Sequence, residues 1–193
     1  MHEPPSPGGV RSLSYLPWRR IGSWTCLGCG ECCRKFRVVL TAYEYALLIK
    51  LFGPWAVELD EHGDPCLRKV GGTCIFQSPT GLCRLQPLGL KPLACKVWPF
   101  KVREVKGSEH VEQDEMFVYK GKVYRVYVHS SCRGIGKGSE EGLINAIKEV
   151  IEIKKNPARP QVYTTSFIVS GKAAAEALDL VRLRSIGATL LPV

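Results

Sequence analysis

Apolar positions along this chain keep two regular rhythms, and between them lies a long stretch that keeps neither. From Thr41 the spacing is helical. Thr41-x-x-Glu44 is a capping-box pattern, Tyr45, Leu47, Leu48, Leu51 and Phe52 follow, and Gly53-Pro54 predicts the stop. Just ahead of it, residues 36–40 (Phe-Arg-Val-Val-Leu) read as a short strand. Over residues 100–105 apolar and charged side chains alternate, the period of a half-exposed strand. Met116–Tyr119 and residues 123–128 flank Lys120-Gly121-Lys122, which predicts a hairpin. Ser139 with Glu140 and Glu141 opens a second helix, with Leu143, Ile144, Ile147, Val150 and Ile151 on one face and Asn156-Pro157 at its end. Residues 162–169 are expected as a last strand and 170–186 as an alanine-rich last helix.

Residues 58–99 have no such period; they are rich in glycine, proline and cysteine. Cys66, Cys74, Cys83 and Cys95 are separated by seven, eight and eleven residues, which suits loops wrapped round a ligand better than helices or ladders. Such a segment is expected to take its shape from what its thiols bind.

The remaining thiols sharpen that picture. Cys26-Leu27-Gly28-Cys29-Gly30-Glu31-Cys32-Cys33 places four cysteines within eight residues. Cys-x2-Cys lets two sulfurs converge on one ion, and thiolate is a soft ligand for zinc, copper(I) and iron–sulfur centres. Adjacent Cys32 and Cys33 cannot easily face the same way, so they predict one ligand plus one packed thiol, or ligands to two centres. Cys132 arrives at the end of the hairpin, before Gly134, Gly136 and Gly138, whose backbone N–H groups are placed to serve sulfur. That glycine run lacks the Gly-Lys-Ser/Thr of a phosphate loop. Of the four histidines, only His129, three before Cys132, is worth weighing as a ligand, and an ordinary surface or strand place is expected for it. No catalytic triad and no paired carboxylates are visible in the spacing.

Composition narrows the setting. One chain of 193 residues fits one domain, and its 45% hydrophobic and 23% charged residues are those of a folded protein. No apolar run approaches the ~20 residues of a membrane span, and residues 1–20 show no signal-peptide core, so a cytoplasmic location is expected. There, nine cysteines argue for metal or redox chemistry over disulfides. Only two asparagines and two methionines occur, a depletion of some thermophile proteins, which can hold cytosolic disulfides. The net charge of +9 admits nucleic acid as a partner, but no nucleic-acid-binding motif accompanies it.

Taken together, Cys26-x2-Cys29-x2-Cys32-Cys33, Cys74-Ile75-Phe76, Gly81-Leu82-Cys83, Lys91-Pro92-Leu93-Ala94-Cys95-Lys96-Val97-Trp98-Pro99-Phe100 and Cys132-Arg133-Gly134 resemble the CxxCxxCC, or YkgJ-type, cysteine-cluster family. The resemblance covers residues 25–138. It implies a zinc- or iron-chelating domain with Cys26, Cys29, Cys32, Cys33, Cys74, Cys83, Cys95 and Cys132 as metal ligands. Cys66 falls outside that pattern and is expected to be a packed thiol. Eight thiols suffice for one four-iron cluster with four to spare, for two clusters, or for two zinc ions. The Cys-x2-Cys-x2-Cys opening with a remote cysteine near proline tilts the reading towards iron–sulfur.

Two functions follow: a redox or electron-transfer centre, as an oxidoreductase or its accessory with an unnamed redox or protein partner, or a zinc-stapled module that binds nucleic acid or protein. The expected fold is a single small α+β domain with a loop-dominated metal core, a small antiparallel sheet and flanking helices. Residues 1–24 are expected as a flexible arm, 25–138 as the metal-binding domain, and 139–193 as an extension packed on it.

Overall fold

In the computed structural model of the chain, the structure describes residues 14–165. Strand β1 (Tyr15–Pro17) is followed by helix α1 (Glu31–Lys35), helix α2 (Ala42–Phe52), and strands β2 (Val57–Leu59), β3 (Pro65–Leu67), β4 (Lys69–Val70) and β5 (Thr73–Cys74). Then come helix α3 (Leu93–Val97), strands β6 (Phe100–Glu104), β7 (Met116–Tyr119) and β8 (Lys122–His129), and helix α4 (Glu140–Lys155). The chain is a small α+β protein. Among the described residues no helix is long and apolar enough to cross a membrane.

β8 is the spine of the main sheet. On one edge it pairs antiparallel with β6, from Phe100↔Val128 to Glu104↔Tyr124. On its other edge it pairs with β7 along its first half and with β1 along its second. The β7–β8 turn is Lys120-Gly121, both with positive φ, the backbone a two-residue hairpin requires. Alternation along β6 and β8 buries Phe100, Val102, Tyr124, Val126 and Val128 on one face. α4 lies on that face with Leu143, Ala146, Ile147, Val150 and Ile151, and Trp18 and Trp24 complete this first core.

A second core surrounds α2. Thr41 caps that helix as its sequence predicts: Glu44 N–H donates to Thr41 Oγ1, and Thr41 N–H donates to the Glu44 carboxylate. Leu48 and Phe52 pack on Val38, Leu40, Val57, Leu67, Phe76 and Leu85. Gly53 closes the helix at φ 81°.

Several expectations need correction. Residues 36–40 are extended but make only a single bridge, Val39↔Cys66, because the main-chain bonds of Val38 and Leu40 go to β3 on either side of it. Residues 58–99 hold more regular structure than their composition suggests: two short antiparallel ladders, β2–β3 and β4–β5, and Cys95 inside α3. Within the expected arm, residues 15–18 are part of the fold, since β1 finds the free edge of β8 and Trp18 enters the first core. Residues 162–165 form bends, not a strand. Residues 1–13 of the expected arm, the rest of the last strand and the last helix lie outside the described residues.

The end of the described chain is tied down by a buried carboxylate. Glu149, on α4, accepts backbone N–H bonds from Val162 (2.6 Å), Tyr163 (2.9 Å) and Thr164 (2.7 Å), plus the Thr164 hydroxyl (2.8 Å). Glu149→Gln presents an NH2 group to those donors. It is expected to cost about 1–3 kcal/mol in urea unfolding, the usual penalty for a buried polar group left without its partner. An unchanged midpoint would deny the clasp any energetic weight.

Candidate metal centre

The knuckle is shaped by glycine and by its neighbours. Gly30 sits in the left-handed region at the N-cap of α1 (φ 67°) and turns the chain so that Cys29 precedes the helix and Cys32 and Cys33 lie on it. Gln77 Nε2 donates to the Gly30 carbonyl at 3.1 Å, and Gly81 packs so close that an added Cβ would stand 2.9 Å from the Gly28 carbonyl oxygen. The knuckle and the 77–83 loop thus lie back to back. Glu31 pairs with Arg34 (2.7 Å), Lys35 (3.2 Å) and, from the last cysteine loop, Arg133 (3.8 Å). The Arg34 hydrogen bond foremost, with Lys35, holds the Glu31 carboxyl down at about 2.

The elements converge on a cavity of about 340 Å³. Cys26, Cys29, Cys32, Cys33, Cys74, Cys83, Cys95 and Cys132 all line it, with Trp24, Phe36, Trp98 and Lys91 among the other walls. All nine cysteines are free thiols. Among the described residues, no three cysteine, histidine, aspartate or glutamate side chains are already drawn together as the ligands of a single ion.

Three of the thiols share one local geometry. The backbone N–H two residues on favours the thiolate in each: Phe76 at Cys74, Leu85 at Cys83, and Gly134 at Cys132. Gln86 N–H donates to the Cys83 carbonyl at 3.1 Å, close to the same sulfur. Trp24 Nε1–H donates to Cys132 Sγ at 3.3 Å. These donors favour thiolate over thiol and are the contacts that orient and tune a thiolate ligand.

Burial works the other way. It is the largest influence on Cys74, pushed up to about 11, and it also raises Cys83, Cys95 and Cys132. Lys91 counters it at Cys83 and Cys95. Cys33 donates to Cys32 and so lowers its neighbour while its own thiol is raised. The bare site therefore holds most of its protons until a cation replaces them.

Cys66 does not reach the cavity. It is fully buried on β3, opposite Glu58 and bridged to Val39. Cys66→Ser is expected to leave the metal content unchanged while costing about 1–2 kcal/mol for a buried hydroxyl. Metal loss equal to that of a cavity cysteine would make Cys66 a ligand.

His129 is also absent from the cavity lining. Its ring stacks among Tyr15, Phe36 and Trp98 at 4.7–4.9 Å between centroids, and its Nδ1 shares a 3.0 Å hydrogen bond with Ser131 Oγ. Trp24 stands at the knuckle, donating to Cys132 Sγ, whereas Trp18 packs edge-on against Phe117 and donates to the Met116 carbonyl. Gln77, Lys91 and the Glu31 clamp carry no sequence signal, because each acts only through residues distant along the chain.

A family model described as "CxxCxxCC: Putative zinc- or iron-chelating domain" matches residues 25–121. Neither a curated protein nor a solved structure matches the chain.

Proposed function

The chain belongs to the CxxCxxCC family of zinc- or iron-chelating domains, and from that premise we propose that its cysteines hold iron–sulfur chemistry of the four-iron, four-sulfide type, with a redox or electron-transfer role. Cys26, Cys29, Cys32, Cys33, Cys74, Cys83, Cys95 and Cys132 are the residues that would supply its ligands.

The observation that supports iron–sulfur is the shape of the site. Eight thiols face one cavity of about 340 Å³. A zinc ion gathered by four thiolates at about 2.3 Å needs no such space, whereas a cluster brings its own sulfides. Backbone and indole N–H groups already aim at sulfur, and such bonds are among the features that set a cluster's potential. Bound iron–sulfur supplies one-electron chemistry. The protein's own part is to hold the thiolates, orient them by N–H donors, and place the positive charge of Lys91 beside Cys32, Cys83 and Cys95.

Anaerobic purification followed by metal and acid-labile sulfide analysis tests this directly. Iron with sulfide and a brown colour is the expected result. Stoichiometric zinc without sulfide overturns the redox reading and leaves a metal-stapled module that binds nucleic acid or protein.

Proton competition gives a second check. Cys74 is raised to about 11, and Cys83, Cys95 and Cys132 are raised with it, so below that range these thiols must lose protons to bind a cation. Apparent metal affinity should therefore rise with pH, by about one order of magnitude per unit for each proton displaced. Titration in buffers of different ionisation enthalpy counts those protons. A pH-independent affinity over roughly pH 6–9, below the Cys74 range, would contradict the raised thiols.

A further inference from the structure

The described chain ends at the thiol cavity. After α4 the connector is bound back twice to α3, the helix that carries Cys95. Lys96 Nζ donates to the Pro157 carbonyl at 2.7 Å, and Gln161 Nε2 donates to the Lys96 carbonyl at 3.0 Å. Lys96, Gln161 and Glu149 are all buried, so breaking these contacts would leave buried groups unpaired. Together with the bonds from Val162, Tyr163 and Thr164 to Glu149, they hold Thr164 and Thr165 in the cavity wall. Residue 166 therefore starts at the cavity and not at a remote edge of the fold.

The cavity offers an apolar seat at that point. Leu27, Phe36, Leu82, Ala94 and Trp98 line it beside the thiols. Leu27 is 48% exposed although it stands inside the cysteine knuckle, and Ala94 is exposed as well. The sequence that follows Thr165 suits such a seat. Ser166-Phe167-Ile168-Val169-Ser170-Gly171 carries no charge and has three large apolar side chains in a row. Those side chains and the exposed apolar lining gain by leaving water together. From Thr165 to Val169, four extended residues span up to about 13 Å, enough to cross the mouth of a space of about 340 Å³.

We propose that residues 167–169 of this same chain dock on the mouth of the cavity, against Leu27, Phe36 and Trp98, and shield the thiols and their metal from water and chelators. An apolar cover of this kind controls solvent access and local dielectric, and through them the properties of a bound metal. The shielding rests on the reading of the cavity as a metal site. The docking does not, and it is the same for iron–sulfur and for zinc.

Photocrosslinking in the full chain tests the docking. With Phe167→p-benzoylphenylalanine, irradiation is expected to join residue 167 to peptides that contain residues 27–36 or 94–98 of the same chain, mapped by mass spectrometry. Crosslinks only to other parts of the chain, or none, overturn the proposal. A crosslinked dimer also overturns it, because the occupant is then a second copy. No metal is needed for this readout, so it remains legible if the metal reading fails.

The rate of metal extraction by EDTA under anaerobic conditions tests the shielding. A chain ending at Thr165 is expected to hold as much metal as the full chain and to release it about tenfold faster or more, since a cover open at most about 10% of the time slows entry by that factor. Equal rates overturn the shielding. Where the shortened chain does not fold by far-ultraviolet circular dichroism, the full chain with Phe167→Ser and Ile168→Ser takes its place, with the same expectation. A protein without metal retires the metal reading and leaves the crosslinks to decide the docking.

Discussion

Stripping the metal with a chelator is expected to unfold the part of the molecule built on the α2 core, while the sheet and α4 stay largely protected. Between Cys26 and Cys95 the regular elements are short: α1 and α3 have five residues each, β2 and β3 three, β4 and β5 two. Only α2 reaches eleven residues, and a helix of that length is marginal by itself in water. Two-stranded ladders of this size have no independent stability either. A bound thiolate metal contributes on the order of 10–16 kcal/mol, as much as the whole stability of an ordinary domain.

The sheet side differs. β6, β7, β8 and α4 share a core whose members Val126, Val128, Ile147 and Val150 are wholly shielded from solvent. Hydrogen exchange on metal-free protein should show amides of residues 58–98 unprotected and those of β8 and α4 still slow. Uniform retention of protection would mean that the second core needs no metal. Uniform loss would mean that the two cores fold as one unit.

Gly134→Ala carries the second largest expected effect. An added Cβ would lie 2.1 Å from the Thr25 carbonyl oxygen and 2.9 Å from Trp24 Nε1. The first of these is backbone and cannot swing aside. Relief requires the Cys132 loop to leave the knuckle, which breaks Thr25 N–H to the Gly134 carbonyl (3.3 Å), Gly136 N–H to the Ser23 carbonyl (2.9 Å) and the indole bond to Cys132. Overpacking alone costs about 1–3 kcal/mol in cores that can relax, so about 3 kcal/mol or more is expected here, together with metal loss.

Gly136→Ala is the matched control. Nothing lies within 4 Å of its added Cβ, but its φ is +71°, so it should cost only the ~1–2 kcal/mol of a left-handed non-glycine residue. Urea midpoints and metal content of the two variants decide the matter. Equal effects would mean that the close approach at Gly134 carries no special weight.

What the sequence revealed, and what it hid, follows the range of the interactions. The Thr41–Glu44 box, the Lys120-Gly121 turn and the apolar face of α4 depend on neighbours within four residues, and each is found where its local pattern predicts. The mixed α+β class follows from those elements. The eight cysteines that the family resemblance singles out all line one cavity, and Cys66, outside that pattern, does not. α1 escaped notice because five residues of a cysteine knuckle leave no room for a helical period. β1 escaped because three residues form a strand only where β8 offers an edge. The meeting of Cys132 with the knuckle is likewise invisible in spacing, since it comes only through the Trp24 and Thr25 contacts.

That meeting of Thr25 with Gly134 also sets a timetable. About 100 residues separate Cys29 from Cys132. At a synthesis rate of roughly 5–20 residues per second, the opening thiols stand ready for about 5–20 s before the strand that closes their pocket exists. During that interval Cys26, Cys29, Cys32 and Cys33 are a bare tetrathiol on a nascent chain, open to oxidation and to whichever soft cation arrives first. Any centre that includes Cys132 can therefore be completed only after the ribosome has passed Gly134.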